Sequence, residues 1–455
     1  MTWLILLFYS WFMWLAQPLL RRKLTRRGLQ EPGYLDAVEE RFGHYWQPAE
    51  PRSELVWIHA VSLGETRTAT ALLKALRTSS PKVRILLTHG TATGRAEGLG
   101  LMQAGDVQVW QPWDSAAAVE RFFTHFKPRL GLLMETEIWP ITVALARKRA
   151  MPLVLVNGRL SGKSLQQALR LAVLSRPAYA ALSAVYAQTE DDAERFLQLG
   201  ANVKGVFGNL KFDASPNPSQ QIRGKMWWRA VAQPVLMFAS SREGEEDDFL
   251  KEIVATIKAG KAQTAINSVA KNQQKNFSQP RFKALIVPRH PQRFAAVQAL
   301  IEQHGLRVSR RSNWAASPAA SEEAMAADVW LGDSVGEMAL YYALSDVALL
   351  GGSFGEWGGQ NLIEAAACGC PVVMGPHTFN FADAAELAAS AGAAQRVANL
   401  AEAVQAALLL MSNPSVQANA AAAGVAFAAS NRGATQKTLN ALQPYLHATA
   451  SYLHR

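Results

Sequence analysis

Short apolar runs alternate with helix-length segments along most of this chain, and that alternation is the strongest constraint on its fold. Seven runs, starting with LVWIHA at 55–60, lie before residue 213, and five more follow from VLMFASS at 235–241. Apolar runs of this length are typical of strands buried on both faces, and intervening helices make neighbouring strands parallel. The pattern therefore predicts an α/β protein with two doubly wound, Rossmann-like domains that face a cleft.

A stretch rich in proline, serine and asparagine separates the two series of strands. Residues 213–221 read DASPNPSQQ and have no apolar periodicity, which is typical of a linker. We predict a membrane anchor at 1–22, a first domain at 23–213, a linker at 214–233, a second domain at 234–430 and a helical segment at 431–455. The polar, Gln- and Asn-rich segment 261–279 is expected to be a surface insertion of the second domain.

The N-terminus has an uncharged apolar segment followed by a basic cluster. Trp3–Leu20 is 18 residues long without a charged side chain, and as a helix it would span roughly 27 Å, close to the hydrocarbon thickness of a bilayer. Five Arg and Lys residues follow at 21–27, and the positive-inside rule then places the rest of the chain in the cytoplasm. We predict a membrane anchor, either spanning or monotopic. Because Pro18 interrupts the segment, an apolar helix packed on the protein is the alternative.

The net charge of +10 and the pI near 9.6 indicate anionic partners. Nucleic acid is disfavoured, because the basic residues are scattered and no zinc-finger spacing, RNP-like motif or long basic helix is present. Acidic lipid and phosphorylated substrates remain. The only cysteines, Cys368 and Cys370, have no second ligand pair for zinc, so we predict that they are buried and reduced.

Residues 351–376, GGSFGEWGGQNLIEAAACGCPVVMGP, join a glycine-rich loop to a helix start and a buried strand. The glycine pairs would let the backbone approach a ligand closely. Asn361 would begin a helix whose first N–H groups favour a phosphate, and Glu364 could accept hydrogen bonds from ribose hydroxyls. The stretch favours a sugar-nucleotide site, although glycine pairs alone also occur in ordinary turns.

Carboxylates follow two strands of the first half. Glu65, in HAVSLGE, opens a helix after the first strand and could act as a general base toward an acceptor hydroxyl. It could also simply cap that helix, and as a base it would need burial to raise its pKa against the helix dipole. Glu135 and Glu137, in METEIWP, could position the acceptor or tune Glu65; for Glu137 a plain surface role is an equal expectation.

Basic residues follow strands in both halves. Lys211 in GNLKFD and Arg242 in SSREGEE are expected to flank the cleft and to neutralise a departing phosphate, so a divalent metal is not required. Surface ion pairing is the alternative. Arg289, after Pro288, and Gly336-Glu337 also follow strands and are candidate nucleotide contacts.

Together these motifs resemble the 3-deoxy-D-manno-octulosonic acid (Kdo) transferases of lipopolysaccharide assembly, which are GT-B glycosyltransferases. The resemblance runs nearly end to end and rests on HAVSLGE, METEIWP, NGRLS, GNLKFD, SREGEE, VPRHPQRF, GDSVGE, GGQNLIEAAACGCPV and MGPHTFNF. It implies inverting transfer of Kdo from CMP-Kdo to the 6'-hydroxyl of a lipid A precursor (lipid IVA), without cofactor or metal. The location it implies is the cytoplasmic face of the inner membrane, where the basic flank would meet anionic lipid.

The same resemblance assigns roles to individual residues. Glu65 is expected to be the proton acceptor, with Glu135 and Lys211 as transition-state stabilisers. The implied donor-binding residues are Arg242, Pro288, Arg289, Val335, Gly336, Glu337, Asn361, Leu362, Ile363 and Glu364. Ala60, where the family often has Ser, and the length of segment 261–279 depart from the family pattern.

Two alternatives follow from the residues themselves. One is another GT-B enzyme that uses a UDP-sugar to glycosylate a lipid, and competition between CMP and UDP would distinguish it. The other is a noncatalytic, membrane-anchored, two-lobed binding protein, which would bind sugar without turnover. Such proteins usually face the periplasm, which conflicts with the basic cluster after the apolar segment.

Overall fold

The chain divides into two units, seen here in a computed structural model that describes residues 2–51, 54–213, 215–269 and 282–447. The first unit comprises Met1–Ala214 together with Asn431–Arg455, and the second comprises Ser215–Ser430. Each unit contains one seven-stranded sheet in which all neighbouring strands are parallel. The predicted α/β architecture is therefore confirmed for both halves of the sequence.

The first unit has its strands in the order β3-β2-β1-β4-β5-β6-β7. The strands are β1 (Leu55–His59), β2 (Arg84–His89), β3 (Val107–Trp110), β4 (Leu130–Met134), β5 (Leu153–Gly158), β6 (Ala184–Ala187) and β7 (Val203–Val206). The helices of this part are α1 (Thr2–Leu15), α2 (Gln17–Gly28), α3 (Leu63–Ser79), α4 (Ala92–Leu99), α5 (Ala116–Phe126), α6 (Pro140–Lys148), α7 (Gly162–Arg170), α8 (Ala172–Ala180) and α9 (Glu190–Gln198).

Both faces of the first sheet are buried, as its continuous apolar strands predict. Along β1, Trp57 packs into one core layer with Phe122 and Phe126 of α5, whereas Val56 and Ile58 enter the opposite layer, which contains residues of α3. Successive side chains of a strand point to opposite faces, so β1 ties the two layers together and holds its carboxyl end rigidly.

The second unit has the strand order β10-β11-β9-β8-β12-β13-β14. Its strands are β8 (Val235–Ser241), β9 (Lys283–Pro288), β10 (Val308–Arg310), β11 (Val329–Leu331), β12 (Val347–Leu350), β13 (Val372–Met374) and β14 (Ala394–Arg396). Its helices are α10 (Pro218–Val231), α11 (Glu245–Val269), α12 (Phe294–Gln303), α13 (Glu322–Ala326), α14 (Met338–Leu344), α15 (Leu362–Ala367), α16 (Ala382–Ser390), α17 (Leu400–Ser412) and α18 (Pro414–Ser430). The short edge strands β10 and β14 are additions to the five predicted strands of this half.

The strand orders define one switch point in each sheet. In the first unit the chain builds outward from β1 to β3 and then crosses to β4, which pairs with the other side of β1. In the second unit the corresponding neighbours are β8 and β12. Ligands of doubly wound sheets bind beyond the carboxyl ends of the strands at such a point, so residues after β1, β4, β8 and β12 are the first candidates for a site.

The predicted linker at 214–233 is wrong over most of its length, because α10 occupies 218–231 and belongs to the second unit. The Asn217 side chain accepts hydrogen bonds from the backbone N–H groups of Ser219 and Gln220, and Pro218 stands at the first helical position. Asparagine and proline thus begin a helix here rather than extend a linker. Trp227 and Val231 are buried, and α10 packs along α14.

The predicted single anchor helix is instead two helices. Among the described residues, no single helix is long and apolar enough to cross a bilayer, and the one pair that could, by length and composition, is bent by 50° between Leu4–Leu15 and Gln17–Gly28. Pro18 lies in the first turn of α2, where its missing N–H costs nothing. The inner face of α1 packs on α6 and α8.

The C-terminal segment returns to the first unit as α19 (Ala434–His447). Leu439, Leu442 and Leu446 join the core layer beneath α3, and Asp213 accepts a hydrogen bond from the backbone N–H of Gly433. Of the predicted insertion at 261–279, residues up to Val269 continue α11, and the remainder lies outside the described residues.

Candidate active site

Glu65 lies in the first turn of α3, directly beyond the carboxyl end of β1 at the switch point of the first sheet. Its carboxylate accepts hydrogen bonds from the backbone N–H of Val61, at 2.9 Å, and from the Ser62 hydroxyl, at 3.1 Å. The Ser62 oxygen in turn accepts from the backbone N–H of Glu65 at 3.3 Å. Glu65 therefore does cap the helix, in an arrangement close to a capping box.

The pKa of the same carboxyl group lies near neutral pH. Burial raises the pKa of Glu65 to about 7, with the hydrogen bonds from Val61 and Ser62 opposing the rise and the charges of Glu135 and Glu137 adding to it. A base that is half ionised near neutral pH combines availability with proton affinity. Capping and catalysis are thus compatible roles, since the cap fixes the carboxylate and burial sets its affinity for a proton.

The other ionisable group at the end of β1, His59, is a poor candidate for the base. Its side chain is buried, and its Nδ1 lies 2.9 Å from the Thr88 hydroxyl. Burial, and to a smaller extent neighbouring His89, lowers the pKa of His59 to about 3. The imidazole therefore stays neutral and packs beneath the site, while Glu65 is the group that titrates.

Glu135 follows β4, the other strand of the switch point, and has a left-handed backbone conformation with φ of 58°. Asn157, at the end of the neighbouring β5, is also left-handed, with φ of 54°. Non-glycine residues in this region carry a strain of roughly 1–3 kcal/mol and cluster at functional sites. The backbone C=O of Glu135 accepts a hydrogen bond from the backbone N–H of Arg159 at 3.2 Å, which joins the segments after β4 and β5.

The Glu135 side chain faces an ammonium group and a side-chain amide. Its Oε1 lies 3.6 Å from Lys211 Nζ and 3.5 Å from Asn157 Nδ2, and both charged side chains are largely buried. Lys211 comes from the short 3-10 helix after β7. The structure therefore brings the predicted residues Glu65, Glu135 and Lys211 to one edge of the same sheet, with Glu135 and Lys211 as an ion pair.

An amide network beneath this ion pair was not predicted. Gln188 donates to the Asn157 carbonyl at 3.0 Å, Asn209 donates to Gln188 at 3.0 Å, and the backbone N–H of Lys211 binds the Asn209 side chain at 2.9 Å. Asn157 lies at the end of β5, whereas Gln188 follows β6 and Asn209 follows β7, so their positions at the ends of consecutive strands were the available signal. The network fixes the backbone that presents Lys211.

In the second unit, Arg242 follows β8 and is held from three sides. Its guanidinium lies 4.2 Å above the Trp357 ring, its Nη1 is 2.5 Å from His290 Nε2, and its backbone N–H donates to Glu245 at 3.0 Å. The backbone N–H of Arg289 donates to Ser241 at 3.0 Å and joins the ends of β9 and β8. Pro288 is the last, buried residue of β9. Two cationic side chains thus follow adjacent strands.

The glycine-rich loop does not present its backbone to a ligand in the way its sequence suggests. The buried Glu245 carboxylate accepts from the N–H groups of Gly352 at 2.8 Å and of Phe354 and Gly355 at 3.2 Å each. A Cβ on Gly351 would lie 2.4 Å from the backbone oxygen of Ser240. In this part of the loop, residues 351–355, the backbone packs internally and its N–H groups bind a carboxylate of the same unit.

Residues 335–337 form the turn that leads into α14. Val335 is exposed and Gly336 has φ of 81°, whereas the Glu337 carboxylate accepts from Arg223 at 2.6 Å and from Arg311 at 3.1 Å. The Glu337 side chain therefore stabilises the turn through ion pairs. The Gly336 carbonyl accepts from the Gln220 side chain at 2.8 Å, so the exposed Val335 side chain is the part of the turn that is open to a ligand.

The segment 361–364 begins α15, as predicted. The Asn361 side chain accepts from the N–H of Ile363 at 3.1 Å, and Leu362 and Ile363 are buried. Burial raises the pKa of Glu364, whose carboxylate has no hydrogen-bond partner among the described residues. Glu364 is consequently a ready acceptor for hydroxyl groups.

Three comparisons bear on this arrangement. A family model for 3-Deoxy-D-manno-octulosonic-acid transferase (kdotransferase) matches residues 36–214. A 3-deoxy-D-manno-octulosonic acid transferase from Bordetella pertussis is 43% identical over 436 residues, which cover 94% of this chain and 96% of that protein. This chain belongs to the Kdo transferase family. A 3-deoxy-D-manno-octulosonic acid transferase from Haemophilus influenzae is 29% identical over 96% of this chain and 98% of its own length.

Solved structures agree on the fold of this Kdo transferase. A UDP-GlcNAc 2-epimerase from Neisseria meningitidis superposes with a TM-score of 0.52 at 15% identity, covering 85% of this chain and 99% of that one. A glycosyltransferase from Rickettsia africae superposes with a TM-score of 0.52 at 13% identity, covering 88% of this chain and 100% of that one. The chain is thus an enzyme of the Kdo transferase kind with an α/β, two-domain glycosyltransferase fold. No cluster of metal-ligating side chains is present in the described part of the chain.

Proposed function

We propose that this Kdo transferase moves Kdo from CMP-Kdo to the 6'-hydroxyl of a lipid A precursor (lipid IVA), with inversion at the anomeric carbon. The observation that supports this most directly is Glu65, a carboxyl group with a pKa of about 7 at the switch point of the first sheet. Transfer to an alcohol needs one base, and a single displacement by that alcohol inverts the anomeric carbon.

In the proposed step, Glu65 removes the proton of the acceptor hydroxyl as its oxygen bonds to the anomeric carbon of Kdo. The bond between that carbon and the phosphate oxygen breaks, and CMP leaves with the electron pair. Glu135 would stabilise the positive charge that develops on the sugar, and Lys211 would offset the negative charge on the phosphate. Lys211 also forms an ion pair with Glu135, with 3.6 Å between the Nζ and Oε1 atoms.

We assign donor binding to the second unit. Arg242 and Arg289 supply positive charge after β8 and β9, where the phosphate and the Kdo carboxylate need it. Glu364 would accept from the ribose hydroxyls, and the 335–337 turn and Asn361–Ile363 would supply further contacts. Because the leaving group has one phosphate, this set requires no divalent metal.

We further propose that the enzyme lies on the cytoplasmic face of the inner membrane as a monotopic protein. The inner face of α1 packs on the first unit, while its outer face and the start of α2 expose apolar side chains. The exposed set is Leu4, Leu7, Phe8, Trp11, Phe12, Trp14, Leu15 and Leu19. Exposed basic residues follow at 21–23 and 26–27, which suits anionic lipid headgroups.

Calorimetry and product analysis test the proposal together. The wild-type protein should bind CMP in preference to UDP, and NMR of the product should show Kdo on the 6'-hydroxyl with the inverted anomeric configuration. Glu65→Gln should lower transfer by at least roughly a hundredfold while CMP affinity persists, because the variant loses only the base. Preference for UDP would indicate a different donor, and near-wild-type turnover of Glu65→Gln would remove Glu65 from the catalytic role.

A further inference from the structure

The segment between β1 and Glu65 is held in place by the residues that follow β2. The Val61 carbonyl accepts hydrogen bonds from the backbone N–H groups of Gly90 and Thr91 at 3.0 Å each. The Ala60 carbonyl and the Val61 N–H belong to one planar peptide group, and that N–H donates to the Glu65 carboxylate at 2.9 Å. The orientation of this peptide group therefore decides whether Glu65 keeps the hydrogen bond.

The carbonyl side of this peptide group is bound by His89, the last residue of β2. The side chain of His89 is fully buried, and its Nδ1 lies 2.9 Å from the Ala60 carbonyl oxygen and 3.3 Å from the Thr66 hydroxyl oxygen. The Thr66 hydroxyl donates to the Ser62 carbonyl at 2.9 Å, so toward the imidazole it accepts. Both partners of Nδ1 are thus acceptors, which requires a proton on Nδ1.

A glutamine of β3 favours the same tautomer from the opposite side of the ring. Gln108 Nε2 donates to the Arg95 carbonyl at 2.8 Å and lies 2.9 Å from His89 Nε2. An amide nitrogen only donates, so His89 Nε2 accepts. Helix α4 covers this pair so closely that a Cβ on Gly98 would lie 2.5 Å from His89 Nε2. The imidazole is therefore confined between β3, α4 and the Ala60 carbonyl.

The imidazole is also neutral over the pH range in which Glu65 titrates. Burial lowers the pKa of His89 to about 4, with the hydrogen bond to Ala60 opposing the decrease and the positive charge of Arg95 on α4 adding to it. His59 on β1 is the other ionisable neighbour, and its pKa is lowered to about 3. His89 therefore donates one hydrogen bond of fixed direction and brings no charge beside Glu65.

We propose that His89 is a positioning residue for Glu65, the base of the proposed reaction. Its Nδ1–H holds the Ala60–Val61 peptide group in the orientation in which the peptide N–H binds the carboxylate. A carbonyl that accepts a hydrogen bond also strengthens the bond that the N–H of its own peptide group donates. The contact needs only the backbone of Ala60, a position at which the chain departs from the family pattern. The inference rests on the proposed function, in which Glu65 removes the acceptor proton.

Two substitutions of His89 in the full-length protein separate the Nδ1 contact from the rest of the ring. His89→Asn places an amide N–H near the position of Nδ1 and retains a donor to Ala60, whereas His89→Gln places its amide near Nε2 and loses that donor. The hydrogen bond from Val61 lowers the pKa of Glu65, so weakening it in His89→Gln should raise that pKa. Because a base works in its ionised form, the pH range over which kcat rises should shift to higher pH in His89→Gln and stay in place in His89→Asn.

The expected loss of rate depends on pH, and a matched control isolates it. A shift of about one pH unit would reduce the ionised fraction of Glu65 near pH 7 from ~50% to ~9% and lower kcat there about fivefold, while kcat near pH 9 should approach the wild-type value. Thr88→Val is the control, because Thr88 precedes His89 in β2 and is equally buried, but its hydroxyl contacts Trp57 and His59. Thr88→Val should leave the pH profile unchanged.

Two NMR measurements test the inference independently of turnover. Nitrogen spectra of the wild-type protein should show the His89 imidazole protonated on Nδ1, and a proton on Nε2 overturns the inference even where a variant does not fold. Titration of the Glu65 carboxyl carbon should give a higher pKa in His89→Gln than in the wild type. An unchanged pKa in His89→Gln, or an equal rise in His89→Asn or Thr88→Val, also overturns it. A wild-type protein with the expected tautomer and Glu65 pKa but without transfer activity would instead contradict the proposed function.

Discussion

The pKa of Glu65 gives the most discriminating prediction, because it links burial to rate. A general base works in its ionised form, so the rate should rise with pH through the pKa of about 7. Such a group is ~9% ionised near pH 6 and ~91% near pH 8, so kcat should rise about tenfold over that interval. A carboxyl with an ordinary pKa would already be almost fully ionised near pH 6, and its profile would be flat.

The acidic limb of this profile is the pH range over which kcat rises. Two substitutions should move this limb in opposite directions. Glu137→Gln removes a negative charge that raises the pKa of Glu65, so the limb should shift to lower pH. Ser62→Ala removes a hydroxyl that donates to the carboxylate at 3.1 Å, so the limb should shift to higher pH. The hydrogen bond from the Val61 backbone N–H to Glu65 remains in both variants, so its effect on the pKa of Glu65 is the same in each.

The assay is the initial rate of transfer between about pH 5.5 and pH 9, with donor and acceptor saturating at each pH. Circular dichroism at every pH confirms that the protein stays folded. A flat wild-type profile would refute the reasoning that burial sets the pKa of the base. Shifts of both variants in the same direction would show that Glu137 and Ser62 act through folding rather than through the charge of Glu65.

Three further predictions concern single side chains. Lys211→Met should lower kcat by about tenfold to a hundredfold while CMP affinity measured by calorimetry is unchanged, because the ammonium acts in the transition state; an equal loss of CMP affinity would contradict this. Glu245→Ala should destabilise the protein by at least ~1–3 kcal/mol, because buried N–H groups of the glycine-rich loop lose their acceptor; an unchanged urea midpoint would exclude that role. Gly351→Ala should cost ~1–3 kcal/mol, since a Cβ would lie 2.4 Å from the Ser240 oxygen, whereas Gly162→Ala, with no atom within 4 Å, should be close to neutral; equal midpoints for these two variants would contradict the steric argument.

The periodicity of the sequence was sufficient for most of the fold. Every apolar run that was predicted as a strand lies in one of the two sheets. The two strands that were not predicted, β10 and β14, are three residues long and include polar side chains, so they form no apolar run. The start of α10 was not predicted for a different reason: asparagine followed by proline is equally typical of a turn and of a helix N-terminus.

At the candidate site, the positions of the residues after strands were predictable, but the groups that contact them were not. The sequence placed Glu65 after β1 and at a helix start, yet its pKa depends on burial by residues distant in the chain. The glycine pairs predicted a close approach of the loop backbone to a ligand, and only the tertiary structure shows that Glu245, more than a hundred residues away, binds three N–H groups of the loop. Similarly, no local pattern connects Asp114 to the start of α6, where it accepts from two backbone N–H groups.

Mass spectrometry tests the central claim most directly. A tetraacylated lipid A precursor is incubated with the detergent-solubilised protein and freshly generated CMP-Kdo, and the molecular mass of the lipid product is measured. We predict increments of one or more Kdo residues on the precursor with the wild-type protein, and none with UDP-sugars as donors. An unchanged precursor mass, with the donor intact and the protein folded, would contradict the assignment of this donor and this acceptor.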